Sequence, residues 1–171
     1  ANDELDKALQ QGQEALNTAI NSSDTATTIA SFQLALAIDP SNSTAQQGLL
    51  RTKTLPEVIN HTINAEKALV EKDFSTAIDH FEQAVKLDPL YQRAVTQLAS
   101  NRKNLKQQRF QNAMSGGYNA LKKGEFTIAE QLFLEAKALW PENTETFNAL
   151  ENVKSSQALA DVNQKMTEAL T

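Results

Sequence analysis

Cysteine is absent from this 171-residue sequence, so disulfides and thiolate metal sites are excluded. That absence fits an oxidising compartment as easily as a reducing one. Glycine and proline are scarce, five and four residues, and β-branched residues do not alternate with polar ones. A sheet is therefore not expected. No run of 18 apolar residues occurs, so no segment reads as a membrane-spanning helix. A basic surface is missing too: the formal net charge is −5, which argues against a phosphate backbone as the main partner. There is neither a signal peptide nor an initiating Met. The sequence enters a helical pattern at Ala1-Asn2-Asp3 and stops within one at Ala169-Leu170-Thr171, which reads as a piece of a longer protein.

What is present favours helix. Ala, Leu, Gln, Glu and Lys dominate. With 40% apolar and 22% charged residues, the chain can bury a core and is not composed like a disordered one.

Three stretches repeat. The first is Thr28, Phe32, Ala35 and Pro40, the second Ala77, Phe81, Ala84 and Pro89, and the third Ala129, Phe133, Ala136 and Pro141, at identical internal spacing. Asp precedes the first two prolines and Trp140 the third. Upstream of each lies a small residue three positions before an Ala-Leu pair: Gly12, Ala65 and Gly117. Downstream, Leu49, Leu98 and Leu150 each follow the proline by nine residues. Helix-on-helix packing explains the pattern. The small residues permit close approach, the phenylalanines fill the gap, and the alanine three residues on shares their face. Proline ends the second helix of the pair. Lys72-Asp73-Phe74 and Gly124-Glu125-Phe126 are the expected turns, and Thr127 and Glu130 have capping-box spacing.

In these residues the chain resembles the tetratricopeptide repeat family, whose pattern is W-x2-L-G-x2-Y, then A-x3-F, then P. The second half of that pattern is met in full at Ala77, Phe81 and Pro89 and at Ala129, Phe133 and Pro141, with Thr28 standing for Ala in the first repeat. The first half departs. Ala8, His61 and Ala113 stand at the Trp position, and Ala15, Ala68 and Ala120 at the Tyr position. The first turn carries four extra residues around Asn21-Ser22-Ser23-Asp24. The prolines are 49 and 52 residues apart, against a usual period of about 34, so each unit carries extra residues after its proline. A third helical segment per unit is inferred, beginning near Thr44, Arg93 and Thr144. The first is expected to be cut by Pro56, opening the next helix. The second is expected to run on as one long helix, through Gly116-Gly117 to Lys123. Its middle, Ala99 to Asn112, has only Leu105 and Phe110 as large apolar residues, the composition of a helix that bridges solvent.

The fold expected is all-α: a tetratricopeptide-like helical solenoid of three units with extended helices between helix pairs, right-handed by analogy with the family. It forms a single array over residues 1–171, with units of about 3–55, 56–109 and 110–171. Its core candidates are Leu16, Phe32, Leu36, Leu49, Leu69, Phe81, Val85, Leu98, Leu121, Phe133 and Leu150.

Chemical signatures are sparse. His61 and His80, 19 residues apart, are the only histidines and read as surface or half-buried residues. No Gly-x-Ser-x-Gly elbow or phosphate-cradling loop occurs. No catalytic, cofactor-binding or metal-ligating residue is assigned, and no cofactor is expected. The basic run Arg102, Lys103, Lys106 and Arg109 reads as solvated helix surface, with an acidic partner as the sharper alternative.

The resemblance implies a bacterial protein-interaction or scaffold module, not an enzyme, that holds a peptide or helix on the concave face of the first helices. Projecting that face gives Gln13, Asn17, Thr62, Glu66, Val70, Met114, Tyr118 and Lys122 as lining. Thr62 and Glu66 do not suit a carboxylate clamp of Lys and Asn, whereas Met114 and Tyr118 suggest an apolar anchor. The alternative is a structural spacer or assembly domain of a membrane-anchored bacterial envelope protein, and a periplasmic position is preferred over a cytoplasmic one. The C-terminal stripe of Leu159, Val162, Met166 and Leu170 is expected to pack back on the array or pair with its copy in a homodimer.

Overall fold

A computed structural model describes residues 2–21 and 23–170. Ser22, within the expected insertion of the first turn, lies outside the described residues, as do Ala1 and Thr171. The described residues form seven α-helices and no strand: α1 (Asn2–Thr18), α2 (Asp24–Ile38), α3 (Ser43–Val70), α4 (Phe74–Leu87), α5 (Gln92–Lys122), α6 (Phe126–Leu139) and α7 (Thr144–Ala169). None is long and apolar enough to cross a membrane.

The helix boundaries follow from local chemistry. Asn42, Asp73 and Asn143 each accept a hydrogen bond from the backbone N–H three residues on, at 3.0 Å, and so cap α3, α4 and α7. Asp39, Asp88 and Trp140 end α2, α4 and α6 in one extended conformation, with φ near −132°, −143° and −134°. The following proline imposes it, because its ring excludes helical angles for the residue before. Between paired helices, Lys72 (φ 62°) and Gly124 (φ 77°) turn left-handed at equivalent positions. There the N–H of Asp73 bonds the Ala68 carbonyl and that of Glu125 bonds the Ala120 carbonyl, both at 2.9 Å.

The extra residues after each proline start helices close to the expected positions, at Ser43, Gln92 and Thr144. They do not make separate segments throughout. α3 runs through Pro56, correcting the expectation of a break there. Pro56 is exposed and forfeits one backbone bond, but Leu55, Val58, Ile59 and Thr62 are buried on both sides of it and hold the helix together. α5 is continuous past Gly116 and Gly117 to Lys122. The unit boundaries drawn at 55/56 and 109/110 fall inside α3 and α5.

The chain forms two compact units, residues 1–102 and 103–171. The division falls in α5, within the sparsely apolar stretch. In the first unit α1 packs on α2, α2 on α3, and α3 on α4. Phe32 is fully buried there, its ring slotted against two glycines. A Cβ on Gly12 would come within 2.7 Å of the ring and one on Gly48 within 2.4 Å. Phe81, Leu16, Leu55, Val58 and Tyr91 complete this core. Tyr91 is tethered by its hydroxyl, which donates to the Ala19 carbonyl at 2.6 Å. Burial pushes that phenol's pKa up, and a hydrogen bond with Arg93 offsets part of the effect. In the second unit Phe133 is fully buried, and a Cβ on Gly117 would stand 2.5 Å from its ring. Ala129, Ala136, Ala149, Leu150 and Val153 surround it. Of the other expected core residues Leu98 is buried, while Leu36, Leu49, Leu69, Val85 and Leu121 are half-buried.

The C-terminal stripe is not covered by packing within its unit, contrary to the expectation that it folds back. α7 has 26 residues and α6 only 14, so at about 1.5 Å per residue α7 outruns its partner by nearly 20 Å. Thr146, Ala149, Leu150 and Val153 are covered, whereas Leu159, Val162, Met166 and Leu170 are 53–86% exposed.

Candidate functional site, an aromatic cleft in the second unit

Gln107, Phe110, Gln111, Met114, Ser115 and Tyr118 recur three or four residues apart on α5, and so share one face. They line, with Glu145 at the start of α7, a cleft of about 390 Å³. A second cleft of about 460 Å³ shares Gln107 and Phe110 and is completed by Trp140, Pro141, Glu142 and Asn143. Trp140 is held there because Pro141 fixes its backbone and Phe110 meets it edge-on, with centroids 4.7 Å apart. The Lys106 ammonium lies 5.3 Å from the centre of the Trp140 ring.

Tyr118 packs edge-on against Phe133, with centroids 5.0 Å apart, yet remains 39% exposed. Burial raises its phenol pKa, and the Glu145 carboxylate adds to the shift. The Met114 sulfur accepts a long contact from the Thr146 hydroxyl at 3.8 Å. Phe110 and Met114 are almost fully buried and form the floor. The rim carries both signs of charge, Lys106 against Glu142 and Glu145. An apolar floor, a half-exposed Tyr and a polar rim suit an apolar side chain presented on an amphipathic segment.

The sequence-derived lining residues fare unequally. Met114 and Tyr118 come together in this cleft, while Lys122 is exposed in the last turn of α5. In the first unit Gln13 borders a narrow crevice of about 100 Å³ that Leu16, Gly48, Arg51 and Leu90 also line. Asn17 and Val70 are exposed. Thr62 is fully buried and donates to the Val58 carbonyl at 2.8 Å, which corrects its place in a lining: it faces the core. Glu66 is engaged within the chain, its carboxylate gripped by Arg93 through Nε at 2.9 Å and Nη2 at 2.7 Å. Asp88, fully buried, is held by Arg51 Nε at 3.1 and 3.0 Å. The basic run is also partly spent, since Arg102 pairs with Glu82 at 2.7 Å.

Phe110, Trp140, Gln107 and Gln111 were not among the sequence-derived site residues. One signal for Trp140 was available: the chain's single Trp stands before the third proline, where Asp39 and Asp88 precede the others.

Neither a protein-family model nor a curated protein matches the sequence.

Proposed function

We propose that the chain is a protein-interaction module of the tetratricopeptide type, and that its second unit receives a peptide or helix of another protein in the Phe110–Tyr118 face of α5. The observation that carries this reading is the pair of contiguous clefts floored by Phe110 and Met114 and flanked by Tyr118 and Trp140. The repeat reading draws support from the recurring cap geometry at Asp39, Asp88 and Trp140, and from the phenylalanine–glycine packing of Phe32 and Phe133. The module catalyses no reaction on this reading; its work is to bind and hold.

A second reading, a spacer or assembly domain of a membrane-anchored envelope protein, is favoured by the first unit. There Thr62 and Glu66, expected to face a partner, are occupied within the chain.

Selection of a displayed random peptide library on the whole chain tests the first reading. Selected peptides should carry aromatic or large aliphatic anchors and bind Tyr118→Ala at least about tenfold more weakly, a loss of about 1.4 kcal/mol. Equal binding to the parent and to Tyr118→Ala would remove the site from this cleft.

A further inference from the structure

The two histidines of the sequence, 19 residues apart, meet in the structure. His61 lies on α3 and His80 on α4, and their Nδ1 atoms are 3.2 Å apart. The ring centroids are 5.4 Å apart and the planes tilted by 43°. Both side chains are half-buried, and their backbones are fixed by fully buried neighbours, Thr62 beside His61 and Phe81 beside His80.

We propose that this pair is a two-histidine site for a borderline-soft divalent transition ion of the zinc, copper or nickel type. Imidazole nitrogen suits these ions. Two nitrogens each about 2.0–2.1 Å from one ion, at a tetrahedral angle, are separated by roughly 3.3 Å, close to the spacing found here. A hydrogen bond between the two Nδ1 atoms requires one ring to carry its proton at Nδ1 and the other at Nε2. To bind, both rings take the tautomer protonated at Nε2, which frees both Nδ1 lone pairs without net loss of a proton. Among the described residues no group of three His, Asp, Glu or Cys stands together, so water completes the coordination and the site stays open. The ion bridges α3 and α4, so binding stabilises their packing.

The test uses the full chain. Copper(II) added below one equivalent should broaden the His61 and His80 ring resonances together, before others. Zinc(II) at about ten times its dissociation constant should raise Tm by roughly 5 °C, and a chelator should reverse the rise. His61→Gln and His80→Gln, which keep a polar side chain, should each abolish the rise. The proposal fails if the two ring signals do not broaden together, or if either Gln variant keeps the parent's rise. The ring-resonance arm uses the unmodified chain, so it decides even where a variant folds poorly.

Discussion

Replacing Gly48 by Ala sets two physical effects against each other. Inside a helix Ala is preferred to Gly by about 0.8–1 kcal/mol, so propensity alone predicts a more stable protein. The packing predicts the opposite. A Cβ on Gly48 would lie 2.4 Å from Cζ, 2.5 Å from Cε1 and 2.6 Å from Cε2 of Phe32, all far inside contact distance. The ring has no retreat, because a Cβ on Gly12 would stand only 2.7 Å from the same Cε1. Phe32 is also fully buried. Overpacking of this kind costs about 1–3 kcal/mol, and a ring pinned between two helices belongs at the upper end. The net expectation is a loss of about 1–2 kcal/mol, read as a lower urea midpoint at unchanged slope. Phe32→Leu should relieve the clash, so that Gly48→Ala in that background recovers the sign given by propensity. The coupling between the two sites should then be about 2–3 kcal/mol. A Gly48→Ala protein as stable as the parent, or additive effects in the double mutant, would refute the interlocking.

Phe133→Ala should cost about 3–5 kcal/mol by denaturant unfolding, since the ring is fully buried. Lys72→Gly should raise stability by about 0.5–1 kcal/mol, because Lys72 holds the left-handed conformation that Gly124 occupies in the equivalent turn. Hydrogen bonds from Ser41 and from Thr76 hold the carboxyls of Asp39 and Asp73 below their usual pKa. Their contribution to stability is therefore present above about pH 4 and is lost as pH falls through the lower folded values, so Asp73→Asn should flatten the acid limb of a stability-versus-pH curve. Sedimentation of the full chain beside one ending at Ser156 examines the exposed stripe of α7: a dimer that becomes a monomer on truncation is the expected result, and two monomers would end the homodimer idea.

Much of the fold was legible because its determinants are local. The three prolines fix three helix ends through the residue before them, and the phenylalanines with Gly12 and Gly117 report the helix pairing. Pro56 misled because its effect depends on what flanks it. One lost backbone bond does not break a helix whose buried face continues on both sides. Gly48 escaped notice since nothing local distinguishes a helical glycine that accepts a ring from one that does not. The site was legible only in part. Met114 and Tyr118 follow from helical projection of one face, but Trp140 reaches that face from a loop, which projection does not reveal. Glu66 looked available because the Arg93 that occupies it lies 27 residues away, beyond helical spacing. His61 and His80 likewise meet only through the packing of α3 on α4.

Trp140 is the only tryptophan, and it lies in the wall of the cleft, so its emission reports directly on the proposed site. Titration of the chain with a library-selected peptide lacking Trp should shift that emission to the blue as the ring is covered. The half-saturation point should match the dissociation constant measured calorimetrically. Saturable binding that leaves the Trp140 emission unchanged, and that is equally tight in Tyr118→Ala, would contradict the account.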